Sequence, residues 1–552
     1  MSTDAAAGNA DILAVGAGPQ MLRALADLEI ALETTPDRRR HRAPVRVVAV
    51  DPEDPGAGAV WRVDQPPALR MNVSAGIVDL RCPSVPWDLR QWHHHQLGTA
   101  CDRYPSRSRV GRYLRWVWER LRSSPWFTLE HARATAVGVS PGPDGWSCRI
   151  EGEAPAQRAT LAASRVLLCT GHRESAPFDY ARLVAGEPST AAGRTVLVEG
   201  AALTAFDAVM CLTAGRGGTW DRRADLAAVP RYRASGREPD RIVLSSRSGR
   251  MMLPKPVEPS RAMLAAVATL RRRWSTDPLG ERWWDTLLEA ARRAAAAHDV
   301  ELDVAAARAW LDAPPALADS AAVAGRWRED LRRATGEPDA DPAWWLGRAW
   351  AAAYPDLLAS LERQDRREET WTTFRRRAST LERWAFGPPA ELVAQLVALI
   401  DVGRLTVTIE RVPPSPPGIV AHIAPGGVLP HARPWAAGVS APVGSWRPGG
   451  RFVPGAPLWA GLLADGHVTV RPGETGVLTR PDGTCLRADG TTSAGLSALG
   501  RPTEGPVVDH DSLQRHLHHD ATRWAAATAH DLLTPPARTS DRPDRPSQER
   551  PR

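Results

Sequence analysis

Lysine is almost missing from this sequence. Lys255 is the single lysine, although the chain carries 70 basic residues and a formal charge of +7. The other basic residues are arginines that alternate with Asp and Glu, as in residues 363–377. Such mixing is typical of solvated helix faces, whereas nucleic-acid binding needs basic residues clustered on one surface. We expect no nucleic-acid partner.

Cysteine is scarce, and long apolar runs are absent. The six cysteines form no CxxC pair or close cluster, which argues against a zinc site or a disulfide framework and favours a reducing compartment. No apolar run approaches the ~20 residues that cross a bilayer. The first basic residue is Arg23, so the start lacks the positive stretch of a secretory signal. We expect a cytoplasmic protein with no membrane partner and no metal.

What the chain does have is the composition of a folded protein with several domains. It is 552 residues long, with 43% hydrophobic and 24% charged residues. Domains usually contain about 100–200 residues, so more than one is expected. Residues 1–10 are small and polar, and residues 535–552 are dominated by Pro, Arg, Ser and Asp, which predicts disorder at both ends.

A glycine turn follows the first apolar segment. Residues 12–15 predict a strand that runs into Gly16-Ala17-Gly18-Pro19, and a helical pattern begins near Met21. Glycines without a Cβ let the backbone touch a dinucleotide pyrophosphate at the N-terminus of a helix. Met21 occupies the position of the usual third glycine, and we expect it to displace the helix or turn its side chain aside.

Asp51 ends the second predicted strand, residues 45–50. A carboxylate at that point of a βαβ unit accepts hydrogen bonds from a ribose hydroxyl. The alternative is an aspartate that only caps a turn.

A second, weaker glycine turn follows residues 195–198. Gly200 is followed by Ala202 and Ala205 in place of further glycines, and Arg247 stands after the next strand. An arginine there suits the additional phosphate of NADP. A surface arginine without a ligand is an equal alternative.

The patterns divide the chain into an α/β protein with a helical insertion. From residue 260 to 400 the sequence is helical and rich in Ala, Leu, Trp and Arg. The predicted domains are a discontinuous first dinucleotide unit of residues 11–194 and 405–534, a second dinucleotide unit of residues 195–256, and the α-helical insertion of residues 257–404. Trp283-Trp284 and Trp344-Trp345 are expected in the core. His93 to His95, and the histidines His510, His516, His518 and His519, are expected at the surface.

An ordered series of motifs extends from residue 12 to 505. It includes Gly56-Ala57-Gly58, Val60-Trp61-Arg62, Leu69-Arg70-Met71-Asn72, Leu168-Cys169-Thr170-Gly171-His172, Leu381-Glu382-Arg383, Phe386-Gly387-Pro388-Pro389 and Pro502-Thr503-Glu504-Gly505. This series resembles a family of FAD/NAD(P)-binding proteins that includes FAD-dependent urate hydroxylase and the monooxygenase that converts aspartate to nitrosuccinate.

The resemblance implies two Rossmann-like dinucleotide-binding units similar to those of flavin monooxygenases. FAD would occupy the first unit, and NADPH or NADH the second. The reduced flavin would pass one oxygen atom of O₂ to a small-molecule substrate. The residues assigned to FAD are Gly16, Gly18, Pro19, Asp51, Gly58, Trp61, Arg62, Met71, Thr170, Gly171, Gly500 and Glu504. Those assigned to the nicotinamide cofactor are Gly200, Thr204, Arg247 and Lys255.

Asn72 is the candidate catalytic residue, because its amide can both donate and accept a hydrogen bond near the flavin. An asparagine that only completes a turn is the alternative. For Lys255, a phosphate or carboxylate contact competes with chance retention of one lysine.

The leading functional hypothesis is N-hydroxylation of an amino acid or amine in specialised metabolism. A urate-type ring hydroxylase, a non-oxygenating flavin oxidoreductase and a degenerate flavoprotein that acts as a binding partner are the alternatives. The oligomeric state is left open.

Overall fold

The computed structural model of the protein describes residues 9–35, 43–152, 158–171, 180–186, 190–221, 228–246, 248–274, 279–364, 368–409, 421–424, 427–429, 443–447, 451–510 and 512–534. The predicted disorder of residues 1–8 and 535–552 lies outside these ranges. Ala10, which we expected in the disordered start, is buried as the first residue of a strand.

Seventeen strands and fourteen α-helices lie in the described part of the chain. The strands are β1 (Ala10–Val15), β2 (Val45–Val50), β3 (Phe127–Ala132), β4 (Thr135–Gly142), β5 (Gly145–Glu151), β6 (Arg158–Leu168), β7 (Thr195–Glu199), β8 (Thr219–Trp220), β9 (Tyr232–Arg233), β10 (Arg241–Ser245), β11 (Leu405–Thr408), β12 (Ala421–Ala424), β13 (Gly427–Leu429), β14 (Gly444–Arg447), β15 (Arg451–Pro454), β16 (Thr484–Leu486) and β17 (Thr492–Ala498). The helices are α1 (Pro19–Thr34), α2 (Leu89–Leu97), α3 (Arg107–Arg122), α4 (Tyr180–Ala185), α5 (Leu203–Leu212), α6 (Arg261–Ala268), α7 (Glu281–Ala296), α8 (Val304–Asp312), α9 (Ser320–Thr335), α10 (Pro342–Leu361), α11 (Glu368–Ala385), α12 (Ala390–Asp401), α13 (Pro457–Ala464) and α14 (Asp520–Leu533).

The first sheet is parallel at its centre and is covered on both faces. Its strand order is β16-β17-β6-β1-β2-β3, with the β4-β5 hairpin beside β6. Ile12 and Ala14 of β1 face a core that includes α1, α3 and α14. Leu13 and Val15 face the opposite core, which the hairpin and α13 complete. Burial on both faces explains the nearly continuous apolar sequence of β1 and β2.

The second sheet has the order β11-β10-β7-β12-β13, and only β13 is antiparallel to its neighbour among these strands. Two sheets, each containing a parallel strand-turn-helix unit, confirm the α/β class expected from the sequence. The helical insertion, α6 to α12, enters after β10 and returns at β11.

The strand pairing corrects one predicted boundary. Residues from 405 onward were assigned to the FAD domain, but β11 pairs in parallel with β10, from Ile242↔Leu405 to Ser245↔Thr408. The strand β12 then pairs with β7 on the other side. The chain therefore completes the second sheet before it returns to the first at β16. A parallel neighbour requires a long crossover connection, and the helical insertion provides it.

The insertion packs its tryptophans into the second sheet. The side chains of Trp283, Trp284 and Trp345 are at most 2% exposed. They share one core with Val196 of β7 and Leu244 of β10. The expected packing role of these tryptophans is confirmed, and the insertion shares its core with the second sheet.

Acidic N-caps start three insertion helices. The side chains of Asp303, Asp319 and Asp341 accept hydrogen bonds from backbone N–H groups at the starts of α8, α9 and α10. Such caps satisfy donors that lack a partner within the helix.

No helix among the described residues combines the length and apolarity needed to cross a membrane.

Candidate functional site

The first glycine turn joins β1 to α1 and requires glycine at its first position. Gly16 has φ +93°, and its N–H donates to the carbonyl of Val50 at 2.9 Å. A Cβ on Gly16 would lie 2.2 Å from the carbonyl oxygen of Cys169. The turn therefore packs directly against the end of β6. The position therefore requires glycine, because it combines a positive φ with no space for a Cβ.

The start of α1 is open to an anion. Gly18 is its N-cap and offers no side-chain cap, and Pro19 fills the first helical position. A Cβ on Gly18 would meet only Cα of Gly58, at 3.7 Å. Gly58 has φ +58° and would bring its own Cβ 3.3 Å from Cδ of Pro19. Two glycines thus face each other beside the helix N-terminus, which favours a phosphate.

Asp51 is joined to this turn by hydrogen bonds. Its Oδ2 accepts from the N–H of Ala17 at 2.7 Å, and its Oδ1 accepts from Glu53 at 2.9 Å. Burial raises the pKa of Asp51, and the two backbone N–H groups oppose that shift. The turn-capping alternative is therefore present in the structure. Each carboxylate oxygen retains a further lone pair for a ribose hydroxyl.

The end of β6 contributes an unsatisfied hydroxyl. Oγ1 of Thr170 is buried and has no hydrogen-bond partner among the described residues, and the same is true of Oε1 of Gln65. Gly171 has φ +65°, and a Cβ there would meet nothing within 4 Å. Buried polar atoms normally have partners. A bound group that supplies polar atoms beside Thr170 fits these residues.

The loop at Gly500 reaches the same place from the C-terminal part of the chain. Gly500 has φ +78°, and a Cβ would lie 2.7 Å from Cγ of Gln20 in α1. The N–H of Leu499 donates to the carbonyl of Leu168 at 3.0 Å. Oε1 of Glu504 accepts from the N–H of Asp509 at 3.2 Å. Gly500 is therefore fixed beside the first turn.

The segment from Trp61 to Asn72 contains residues that the sequence analysis assigned to the flavin site. Arg62 is bound to Asp64 at 2.6 Å in an exposed ion pair, and Met71 is 1% exposed inside the core. Trp61 is half-buried, and its carbonyl packs where a Cβ on Gly111 would stand. The pair with Asp64 and the burial of Met71 are the contacts that the described residues provide, and the predicted roles of Arg62 and Met71 beside FAD stay predictions.

Lys255 ties three parts of the chain together. Its Nζ donates to the carbonyl of Asn72 and, at 2.7 Å, to the carbonyl of Gly387. Burial, and then the charge of Arg348, lower the pKa of Lys255 to about 7. Backbone carbonyls are the partners that the described residues supply, and the phosphate or carboxylate contact stays a prediction. The side-chain amide of Asn72 makes no hydrogen bond with the described residues.

The second turn is wider than the first. Gly200 has φ +105°, its N–H donates to Ser245 at 2.8 Å, and a Cβ would be 4.0 Å from Cβ of Ala205. Ala202 is the N-cap of α5, and Thr204 is exposed in its first turn. Arg247 lies outside the described residues.

The structure accommodates Met21 and Ala202, the two residues that stand where glycines were expected. Met21 is fully buried in the core beneath α1, so its side chain does not turn outward. Its flexible thioether fills this space. Ala202 adopts an extended backbone, which needs no glycine.

Three histidines that were expected at the surface, His93, His510 and His518, are buried. His510 is 2% and His518 is 5% exposed, which corrects the sequence interpretation. The hydroxyl of Thr503 donates to the carbonyl of Gly500 at 2.9 Å, so it accepts from Nδ1 of His510. Nε2 of His510 lies 3.8 Å from Oδ2 of Asp520. In the other cluster, His93 is also buried, where it contacts Thr99 and Arg109.

Sequence reasoning missed a buried ion pair between the two units. Arg107, the first residue of α3, donates to Asp207 in α5. Burial raises the pKa of Asp207 to about 6, although Arg107 opposes the shift. Nothing local in the sequence indicated this pair, because its two residues are 100 positions apart.

This pair predicts a pH-dependent stability. Because the folded pKa of Asp207 exceeds its unfolded value, the folded state binds more protons between pH 4 and 6. The contribution of Asp207 to the free energy of unfolding should therefore fall as pH rises through this interval. In urea titrations, we expect the free energy of unfolding of the native chain, minus that of Asp207→Asn, to fall from pH 4 to pH 7. A constant difference would contradict the assignment.

Two parallel-sheet units and a glycine turn of this kind are typical of dinucleotide-binding proteins. More particularly, residues 13–173 match the family model described as FAD-NAD(P)-binding, which confirms the resemblance seen in the sequence. That match spans β1 to the end of β6, the part that holds Gly16, Asp51, Gly58 and Thr170.

Relatives with assigned names cover part of the chain. Nitrosuccinic acid synthase of Aspergillus oryzae is 32% identical over 286 residues, which are 45% of this chain and 41% of that protein. The nitrosuccinate-forming L-aspartate N-monooxygenase of Streptomyces davaonensis is 29% identical over 293 residues, 43% of each chain. The chain thus matches less than half the length of these relatives. The ornithine N-hydroxylase of Kutzneria sp. 744 aligns over 95% of this chain and 100% of its own, at 15% identity and a TM-score of 0.45.

Proposed function

We propose that the protein is an FAD-dependent, NAD(P)H-using monooxygenase that hydroxylates the nitrogen of an amino acid or related amine. The observation that carries the proposal is the first turn. There the glycine pair Gly18 and Gly58, the α1 N-terminus and the unsatisfied hydroxyl of Thr170 lie within the segment that matches the FAD-NAD(P)-binding family.

The protein's own groups would then act mainly by binding and orientation. The N–H groups at the start of α1 would hold the FAD pyrophosphate, Asp51 the ribose, and Thr170 with the Gly500 loop the remainder of the cofactor. Gly200 and the start of α5 would hold the nicotinamide cofactor. When bound, the flavin supplies the redox chemistry that activates oxygen. Lys255 would fix the backbone at Asn72, so that its free amide faces the reaction space.

A small amine or amino acid, together with molecular oxygen, completes the proposal, as the names of the relatives suggest. We also propose a cytoplasmic location, in line with the six free cysteines. Met21 does not support the alternative of a degenerate flavoprotein, because its side chain belongs to the core beneath α1.

The proposal is tested with the purified full chain. A yellow protein with a flavin spectrum, or one that becomes yellow with added FAD, is expected. NADPH and NADH oxidation is then measured with and without an amino-acid panel that starts with L-aspartate. Substrate-dependent formation of an N-hydroxylated product supports the proposal. Flavin reduction without any oxygenated product favours the oxidoreductase alternative, and a chain that binds no FAD rejects both.

A further inference from the structure

The second unit repeats one backbone contact of the first. The N–H of Gly16 donates to the carbonyl of the last residue of β2 at 2.9 Å, and the N–H of Gly200 donates to Ser245, the last residue of β10, at 2.8 Å. In each unit this strand pairs in parallel with the strand that enters the turn. Ser246 therefore occupies the position that Asp51 holds in the first unit.

The chemistry at this position differs between the two units. A carboxylate such as Asp51 accepts hydrogen bonds from a ribose hydroxyl, and it would repel a phosphate on the same ribose. In the second unit no acidic residue stands between Asp240 and Glu258 in the sequence, and Asp240 precedes β10 at its opposite end. The hydroxyl of Ser246 makes no hydrogen bond with the described residues, so it is left to donate to a ligand. The end of β10 thus suits a phosphate better than an unmodified ribose.

Arg250 follows this position at the mouth of the second turn. Nη1 of Arg383 donates to the carbonyl of Ala201 at 3.3 Å and to the carbonyl of Arg250 at 3.4 Å, so one nitrogen atom holds the backbone of Arg250 beside the turn. Nη1 of Arg250 donates to the hydroxyl of Thr380 at 3.3 Å. Thr380 and Arg383 share one face of α11, since residues three apart are neighbours on a helix. The guanidinium of Arg250 is thereby held close to Arg383.

The insertion fixes the loop that carries Arg250. Gly249 has φ +60°, and its carbonyl accepts from the N–H of Leu317 at 3.0 Å. A Cβ on Gly249 would lie 2.9 Å from the carbonyl oxygen of Leu317. The loop is thus packed against the segment between α8 and α9. A ligand would meet an arginine that is already in place, which lowers the entropic cost of binding.

The guanidinium of Arg250 has no counter-ion in the described part of the chain, where Thr380 is the one hydrogen-bond partner of its side chain. Nε is buried without a partner, and Nη2 also lacks a partner but is not fully buried. The buried arginines Arg107 and Arg363, in contrast, are paired with aspartates. Nε and Nη2 form one edge of the guanidinium, and two parallel N–H groups of this kind bind a phosphate bidentately.

We propose that Arg250 and Ser246 bind the 2′-phosphate of NADPH, so that the protein uses NADPH in preference to NADH. This inference rests on the proposed NAD(P)H-dependent function and names the cofactor of the second unit. The open edge of Arg250 donates two hydrogen bonds to the phosphate, and the hydroxyl of Ser246 donates a third. Arg383 is a positioning residue, because it ties the backbone of Arg250 to the turn. The N-terminus of α5 receives the pyrophosphate.

Binding is tested on the FAD-loaded full chain by titration calorimetry. The probes are adenosine 2′,5′-bisphosphate and AMP, which differ only in the 2′-phosphate. We expect the native protein to prefer the bisphosphate by about 10- to 100-fold, the range of hydrogen bonds to charged groups. Arg250→Met should bind the two probes within about threefold of each other, and Arg250→Lys, which keeps the charge, should retain part of the preference. Arg241→Met removes an exposed arginine at the other end of β10 and should leave the preference unchanged.

The same contact is tested by anaerobic flavin reduction. The 2′-phosphate belongs to the adenosine half of NADPH, far from the nicotinamide that delivers the hydride. In Arg250→Met, the NADPH concentration that gives half-maximal reduction should therefore rise about tenfold or more, while the maximal rate stays within about twofold. The values for NADH should not change, whereas a general disturbance of the second unit would affect both cofactors.

The outcomes separate this inference from the proposed function. The inference is wrong if the native protein binds neither probe or binds both equally, or if NADH reduces the flavin as well as NADPH does. An equal loss of both probes in Arg250→Met would place the contact on the 5′-phosphate and also contradict it. If the preference depends on Arg250 but no N-hydroxylated product forms, the NADPH site stands and the proposed function fails. FAD content and melting temperature should match the native protein in all three variants.

Discussion

Replacing Gly16 with alanine should destabilise the first unit whether or not FAD is present. The new Cβ would lie 2.2 Å from the carbonyl oxygen of Cys169 and 3.1 Å from Cα of Thr170, and the backbone at φ +93° disfavours any side chain. Strained backbone and overpacking each cost about 1–3 kcal/mol. We expect the free energy of unfolding to fall by about 2–6 kcal/mol, measured by urea titration of the cofactor-free protein.

Gly18→Ala is the matched control, and its effect should be confined to cofactor binding. The nearest atom to its Cβ is Cα of Gly58 at 3.7 Å, and the backbone of Gly18 has an ordinary negative φ. The cofactor-free protein should keep its stability within about 0.5 kcal/mol. FAD affinity should drop, because the methyl group occupies the approach of the pyrophosphate to the helix start. Equal loss of stability in both variants would contradict the assignment of Gly16 to the structure of the turn and of Gly18 to cofactor binding.

Replacing Arg363 with methionine should be the second large effect. Its guanidinium donates to Asp520, which is 0% exposed, and also to the carbonyl of Thr479 at 2.8 Å. Removing one member of a buried pair leaves an uncompensated charge, at a cost of about 3–5 kcal/mol. Arg523 remains 3.3 Å from Asp520, so we expect the lower end, about 3 kcal/mol.

The same variant should weaken FAD binding through a chain of contacts. Asp520 faces His510, His510 donates to Thr503, and Thr503 donates to the carbonyl of Gly500 beside α1. Stability is read from urea titration and affinity from flavin fluorescence. Arg122→Met, which removes an exposed pair with Glu119 at 3.1 Å, should cost less than about 1 kcal/mol and leave FAD binding unchanged. A comparable loss in both variants would contradict the buried network.

The sequence predicted the two glycine turns well because their signals are local. An apolar strand, a glycine with positive φ and a helix start lie within ten residues of one another at Gly16. At Gly200 the same order appears with alanines in the later positions. The helical insertion was equally clear, since its helices carry their own periodicity and acidic N-caps.

Other features depended on contacts that no local pattern encodes. The sheet membership of β11 follows from a partner strand on the far side of the whole insertion. The burial of His510 follows from Asp520 and from the Gly500 loop. Arg62 and Met71 matched a family motif, and only the structure shows that Arg62 pairs with Asp64 and that Met71 lies in the core.

By itself, then, the sequence determined the α/β class, the two dinucleotide turns and the identity of the glycines, because backbone geometry within a turn is set by neighbouring residues. Only the tertiary structure decided which charges face which. Lys255 became a tie to the carbonyls of Asn72 and Gly387, and Arg363 became the partner of the buried Asp520. The physical reason is that charge pairing and desolvation act through space, between residues far apart in the chain.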